Sequence, residues 1–194
     1  MSVTLYLFRH GQTEWSLSGQ HTGVTDIPLT AQGEDEARAL IPWVSKLKFD
    51  HVFTSPRQRA RKTCELVGLK GEIEPDLAEW DYGDYEGRKS AEIKIHRPLW
   101  NIFRGGCPGG ESPEQVSSRA DRLIARLATL SGNVALFSHG HFGRVLSTRW
   151  VGFPVAQGEH LQNDTASMNI LGSDPSHPDI RVIKLWNATP RALG

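Results

Sequence analysis

Dense apolar runs and amphipathic stretches alternate along this chain, and that alternation predicts strands followed by helices. Val3 to Phe8 is short, apolar and rich in β-branched and aromatic side chains. It stops abruptly at Arg9-His10-Gly11, so it reads as a buried strand with polar residues at its carboxyl end. Residues 11 to 29 carry Gly, Thr and Pro without periodicity and read as a long loop, a candidate binding segment. From Thr30, a residue of N-cap type, Ala37, Leu40, Ile41, Val44 and Leu47 fall at helical spacing, and Pro42 is expected to kink or shorten that helix. His51 to Thr54 reads as a second strand, Arg57 to Val67 as a helix closed by Gly68, and Glu72 to Glu74 as a short third strand.

The clearest helix starts at Ser112, with Pro113 in its first turn and Gln115 three residues after the cap. Val116, Ala120, Leu123, Ile124, Leu127 and Leu130 then line one face. Asn133 to Phe137 is a near-continuous apolar strand ending in Ser138-His139-Gly140, and a helix follows to about Trp150. Two more strands are expected near Ser167 to Leu171 and Ile180 to Trp186. This order predicts an α/β fold, a sandwich with a mostly parallel central sheet flanked by helices, whose ligands bind beyond the carboxyl ends of the strands. His10 and His139 both occupy such ends.

A length of 194 residues with no linker, repeat or low-complexity tract suits one domain, and 38% hydrophobic with 23% charged residues is too apolar for disorder. Basic and acidic residues balance at 22 each, so overall charge does not favour a nucleic-acid or membrane surface. The first apolar run has no basic flank and no small-residue cleavage site, and no run reaches membrane-spanning length. Cys64 and Cys107, without an export signal, read as reduced thiols and not as a zinc pair, which suits a cytoplasmic protein.

A phosphate monoester resists attack because its dianion repels nucleophiles and its alkoxide leaves poorly. Cleaving one without a metal requires cationic donors, a nucleophile and a proton source. Arg9 and Arg59 offer planar cationic forks, His139 a third donor if protonated, and the backbone amides after Gly140 a helix N-terminus suited to anions. Glu79, Asp81, Asp84 and Glu86 are all acids of one Gly-punctuated loop, and residue chemistry alone does not choose among them. Arg57 and Arg61 read as solvated or structural.

Four separated motifs then stand in order: Leu7-Phe-Arg9-His10-Gly11-Gln-Thr-Glu-Trp15, Thr54-Ser55-Pro-Arg-Gln-Arg59-Ala-Arg-Lys-Thr63, Leu77-Ala-Glu79-Trp-Asp-Tyr82-Gly-Asp-Tyr-Glu-Gly87 and Phe137-Ser-His139-Gly140. With these the chain resembles the histidine phosphatase superfamily, which includes phosphoglycerate mutases and fructose-2,6-bisphosphatases. The resemblance implies a phosphoglycerate mutase-like fold, a small phosphate ester as substrate, and no metal or cofactor. It implies His10 as the phosphorylated nucleophile, Arg9, Arg59 and His139 around the phosphate, and Glu79 as proton donor, a task for which Glu79 must carry a proton at the moment of attack. Ser16, Gln20, Thr22, Tyr82 and Gly140 are expected to join the substrate-binding residues.

Thr13 to Thr30, with Ser16 where mutases usually carry Asn, looks especially like fungal sedoheptulose-1,7-bisphosphatases, as do Trp100-Asn101-Ile102, Arg104, Gly106-Cys107 and Gly110-Glu111. The segment between Glu79 and Ser112 lacks the larger insertion with paired arginines that mutases use. Simple hydrolysis is therefore expected, with mutase-type phosphoryl transfer as the alternative and an inactive binding module on the same fold as the third reading. Residues 88 to 104 carry Arg88, Lys89, Lys94, Arg97 and Arg104 against the single acid Glu92, either a solvated amphipathic helix or a patch for a second phosphate. His21 reads first as an exposed loop histidine and otherwise as a pocket residue, and His141 and Arg144 as packing and orienting residues. A homo-oligomer is left open.

Overall fold

The computed structural model describes residues 3–190. Strand β1 (Val3–Arg9) leads into a short helix α1 (Glu14–Ser18), then α2 (Ala31–Arg38) and α3 (Ile41–Val44). There follow β2 (His51–Thr54), α4 (Gln58–Leu66), β3 (Glu72–Ile73), α5 (Ser90–His96), α6 (Ile102–Gly105) and α7 (Pro113–Leu127). The chain ends with β4 (Gly132–Ser138), α8 (Gly140–Trp150), β5 (Met168–Ser173) and β6 (Arg181–Ala188).

The six strands form one sheet in the order β3-β2-β4-β1-β5-β6. All pairings from β3 to β1 are parallel, and β5 runs antiparallel to both β1 and β6, so the expected mostly parallel sheet is present. Side chains alternate across the strands and feed two cores. Leu5, Leu7, Val134 and Leu136 pack with Val116, Ala120, Leu123, Phe142, Val145 and Leu146 of α7 and α8. Phe8, Ala135 and Phe137 pack on the other face with Leu40, Val44, Ala60 and Cys64 from the α2–α4 side. That makes three layers.

Two sequence expectations change. The stretch 11 to 29 is not wholly loop, because Thr13 and Ser16 close a capping box on α1 and Gly19, at φ +80°, ends it. The helix expected from Thr30 divides. Thr30 does cap it, accepting from Gly33 N, but α2 stops at Arg38 and Pro42 stands in the first turn of a separate α3. Pro lacks the N–H an uninterrupted helix would need there, and a first turn is where that lack costs least. Helix α7 begins as expected, with a Ser112–Gln115 capping box.

One close approach depends on glycine. A Cβ on Gly11 would collide with the carbonyl of Gly33, and one on Gly33 with the backbone of Gln12. This pair lets the start of α2 lie directly on the turn that follows β1.

Candidate active site

Parallel pairing of β1 with β4 sets Arg9 opposite Ser138, so the residues that follow, His10 and His139, emerge side by side. Their rings lie 5.2 Å apart. After β1 the chain turns to the α2–α4 face and after β4 to the face of α8, which opens a crevice between these strand ends. His10 N donates to Ser138 O at 3.0 Å, and Ser55 N, at the end of β2, to Phe137 O at 2.9 Å.

His10 is buried, and its Nδ1 lies 2.7 Å from Gly11 O. A carbonyl only accepts, so Nδ1 carries the proton and Nε2 keeps its lone pair. Burial first, then the nearby Arg59 and Arg9 charges, hold the His10 pKa well below the usual histidine range, so the ring is neutral.

His139 differs from expectation. Arg59 Nε donates to its Nδ1 at 3.2 Å, and Nε2 meets Ser55 Oγ at 2.7 Å, so both ring nitrogens are engaged. Burial, ahead of the Arg59 charge, holds its pKa well below the usual histidine range, so the ring is neutral and the protonation on which a third cationic donor depended is disfavoured. Arg59 also donates to Thr25 O at 2.9 Å, Thr22 O at 3.0 Å and Gly23 O at 3.1 Å, so it clasps the loop after α1 while bringing positive charge beneath the site. Arg9 donates through one Nη to Asn163 O at 2.5 Å, and its buried Nε has no protein acceptor.

The acidic loop is resolved by geometry. Glu79 is buried and accepts from Trp80 N at 2.9 Å, Phe142 N at 2.7 Å and His141 N at 3.0 Å. It thereby caps α8, whose own N-cap residue makes no side-chain cap bond. Two of the amides expected to greet an anion are therefore taken by Glu79. Glu86 turns instead to Gly23 N and Thr25 N, each at 2.9 Å, and Asp81 to Gly83 N at 3.0 Å. Of the four acids, Glu79 lines the pocket.

That pocket, of about 250 Å³, brings together Arg9, Ser16, Gln20, Thr22, Glu79, Tyr82 and Gly140 of the expected site residues, whereas His10, Arg59 and His139 are buried beside it and do not line its wall. Several of their polar groups are already occupied. Ser16 Oγ donates to Thr13 O at 2.9 Å within its capping box, Gln20 Nε2 donates to Gly87 O at 2.8 Å, and Thr22 Oγ1 donates to Gln20 O at 3.3 Å. Tyr82 Oη meets His141 Nδ1 at 2.6 Å. The missing side chain of Gly140 lets the Arg9 guanidinium lie against α8.

Trp15, the last residue of the first motif, also lines the pocket, as do Ser90 and Asn163, of which residue spacing carried no sign. His21 corrects its first reading: it is buried, stacks on Tyr82 at 4.7 Å, and burial lowers its pKa to about 4. His141 and Arg144 also reach the pocket. Burial, ahead of the Arg144 charge, lowers the His141 pKa well below the usual range.

A lobe of about 140 Å³ continues outward and shares His21, Ser90, His141 and Arg144 with this pocket. Lys94 faces it, but Arg97 does not, since it donates to Tyr85 Oη at 3.0 Å. Arg104 pairs with Glu159 and Arg88 lies over the Tyr85 ring, so the basic segment is only partly directed at the site. Among the described residues no group of three or more His, Cys, Asp or Glu could hold a metal ion, and no helix is long and apolar enough to cross a membrane.

Comparison with known proteins fits this geometry. The model of the histidine phosphatase superfamily (branch 1) matches residues 5–188. An acid phosphatase of Mycobacterium tuberculosis is 42% identical over 186 residues, covering 93% of this chain and 92% of that protein. Sedoheptulose 1,7-bisphosphatase of Saccharomyces cerevisiae is 37% identical over 196 residues, covering 81% and 72%. A solved structure of a Mycobacterium tuberculosis open reading frame superimposes with a TM-score of 0.90 at 39% identity, over 96% of this chain and 98% of that one.

Proposed function

The chain belongs to the histidine phosphatase superfamily and is a phosphomonoester hydrolase, and from that premise we propose that it cleaves small phosphorylated metabolites, sugar bisphosphates such as sedoheptulose 1,7-bisphosphate among them, through a phosphohistidine on His10. The observation that carries this reading is the locked tautomer of His10, whose Nδ1 is tied to Gly11 O while the neutral ring keeps Nε2 as a nucleophile.

Nε2 attacks phosphorus in line, the ester P–O bond breaks, and Glu79, carrying a proton, delivers it to the departing oxygen. Water then attacks the phosphohistidine while the Glu79 carboxylate takes one of its protons, which frees His10 and releases inorganic phosphate. Arg9, with an uncommitted buried N–H, grips the phosphoryl oxygens, and Arg59 adds charge from below. Sugar bisphosphates are favoured because the outer lobe presents Lys94, with Arg144 between lobe and main pocket, where a second phosphate would lie, while the lobe's carboxylate, Glu159, is paired with Arg104.

Purified protein assayed in chelator should release phosphate from such substrates and yield an acid-labile phosphoenzyme on rapid quench. His10→Ala should show neither. Substantial turnover by a clean His10→Ala preparation would end the proposal, and a strict need for a bisphosphorylated primer would mark a mutase instead.

A further inference from the structure

The segment between α8 and β5 holds the nucleophile's strand end from behind. Ser167 O accepts from Arg9 N and Ala166 N donates to His10 O, each at 3.1 Å. Ala166 does so at φ +49°, a conformation that a residue with a Cβ keeps only when its surroundings impose it. Asn163 joins this segment to the charge of the site, since its carbonyl takes the Arg9 Nη at 2.5 Å.

The buried Asn163 amide fixes that carbonyl. Oδ1 accepts from Ser167 Oγ at 2.7 Å and from Asn169 Nδ2 at 3.1 Å. The orientation follows from its neighbours, because Asn169 Oδ1 is already occupied by Asn187 N at 2.7 Å, which leaves Asn169 Nδ2 as the donor. Asn163 Nδ2 is turned to the carbonyls of His139 and Gly140, at 3.5 and 3.4 Å. One planar group thus ties β5 to the first turn of α8 and sets the acceptor that aims Arg9. An aspartate in this place would have no N–H for those carbonyls and would add a further acid to Glu79 and Asp164 near Arg9.

We propose that Asn163 is a positioning residue for phosphoryl transfer, acting through Arg9. The inference rests on the reading that Arg9 grips the phosphoryl group. A misplacement of that guanidinium by about 1 Å lowers rate on the order of a hundredfold, so Asn163→Ala should lose about tenfold to a hundredfold in kcat/KM, chiefly in kcat.

The test is a cycle of Asn163→Ala, Arg9→Lys and the double variant, with kcat and KM for para-nitrophenyl phosphate, inhibition by orthovanadate, and a thermal melt of each. Acting through Arg9, the Asn163 change should cost less than about threefold more in the Arg9→Lys background. A merely structural role would instead lower the melting temperature and multiply with Arg9→Lys. Full multiplication, or near wild-type kcat for Asn163→Ala, overturns the inference. If the alanine variant is unfolded at the assay temperature, the cycle is run with Asn163→Ser, which adds no charge beside Arg9, and read the same way. An active His10→Ala would mark failure of the parent proposal rather than of this one.

Discussion

Arg119 reaches from α7 to hold the loop that delivers Glu79, and removing it should damage stability and turnover together. Its guanidinium pairs with Glu111 through two bonds, Nε to Oε1 at 2.8 Å and Nη2 to Oε2 at 2.7 Å. It also donates to Asp76 O at 2.9 Å, Ala78 O at 2.8 Å and Glu79 O at 3.3 Å, and it stacks on Phe142 at 4.2 Å. Summing these as charge-assisted bonds at about 1.5–3 kcal/mol each would overstate the loss, because water enters the vacated space and re-solvates the carbonyls. The side chain is only 12% exposed, so the figure for breaking a buried pair applies, about 3–5 kcal/mol for Arg119→Ala. With a urea m-value of about 2–3 kcal/mol/M, the midpoint should fall by about 1–2.5 M. Arg119→Lys should recover little, since an ammonium cannot reproduce the fork, and kcat should drop as the Glu79 carbonyl loses its anchor. Arg119→Ala and Glu111→Ala should be strongly non-additive in urea unfolding. A stability loss below about 1 kcal/mol, or full recovery in the lysine variant, would refute the clamp.

Three further outcomes follow from the same geometry. The folded His21 pKa of about 4 lies below the ordinary 6.5, so the unfolded chain binds an extra proton between these values, and stability is full above pH 6.5 and lost as pH falls toward 4. That loss is about 3 kcal/mol at most for His21, and His10, His139 and His141 act in the same direction. Urea melts across this window should show the decline, His21→Phe should lessen it by the His21 share, and stability that is level with pH in the wild type would contradict the assignment. Because the His10 ring stays neutral well below its ordinary pKa, the acid limb of kcat/KM should not break near 6.5, and a break there that His10 alone explains would count against the neutral-nucleophile step. Gly33→Ala should destabilise by about 1–3 kcal/mol by collision with Gln12, opposite in sign to the gain of about 1 kcal/mol that helix propensity forecasts. A raised melting temperature would dispose of that claim.

The parts of this site legible in the sequence are those set by the ends of regular elements. His10 and His139 stand where dense apolar runs stop, and parallel pairing of β1 with β4 then has little choice but to set them side by side. The capping box at Ser112 was readable for the same reason, since its signal lies within four adjacent residues. Helix α1 was not: it spans five residues, too few for a period to show. The break between α2 and α3 was half legible, with Pro42 visible but its place in a new first turn decided by packing.

What escaped the sequence altogether is how polar groups are shared out once the chain has folded. Arg59 was found by motif, yet a motif does not tell that its fork clasps the loop at Thr22, Gly23 and Thr25 and binds a neutral His139. Glu86 looked equivalent to Glu79 until the amides of Gly23 and Thr25 claimed it, while Glu79 took the bare N-terminus of α8. The rule underneath is that a buried donor or acceptor must be paired, and the pairing is solved for all of them together. By that rule the side chains that answer to the substrate are the ones the protein leaves unsatisfied. Among the described residues two buried side-chain atoms, Arg57 Nε and Arg9 Nε, are left without an acceptor, and of these only Arg9 lines the pocket, next to a His10 whose Nδ1 alone is tied to the backbone. A phosphoryl group supplies what Arg9 and His10 each lack, an anionic oxygen for the arginine and an electrophilic phosphorus for the imidazole.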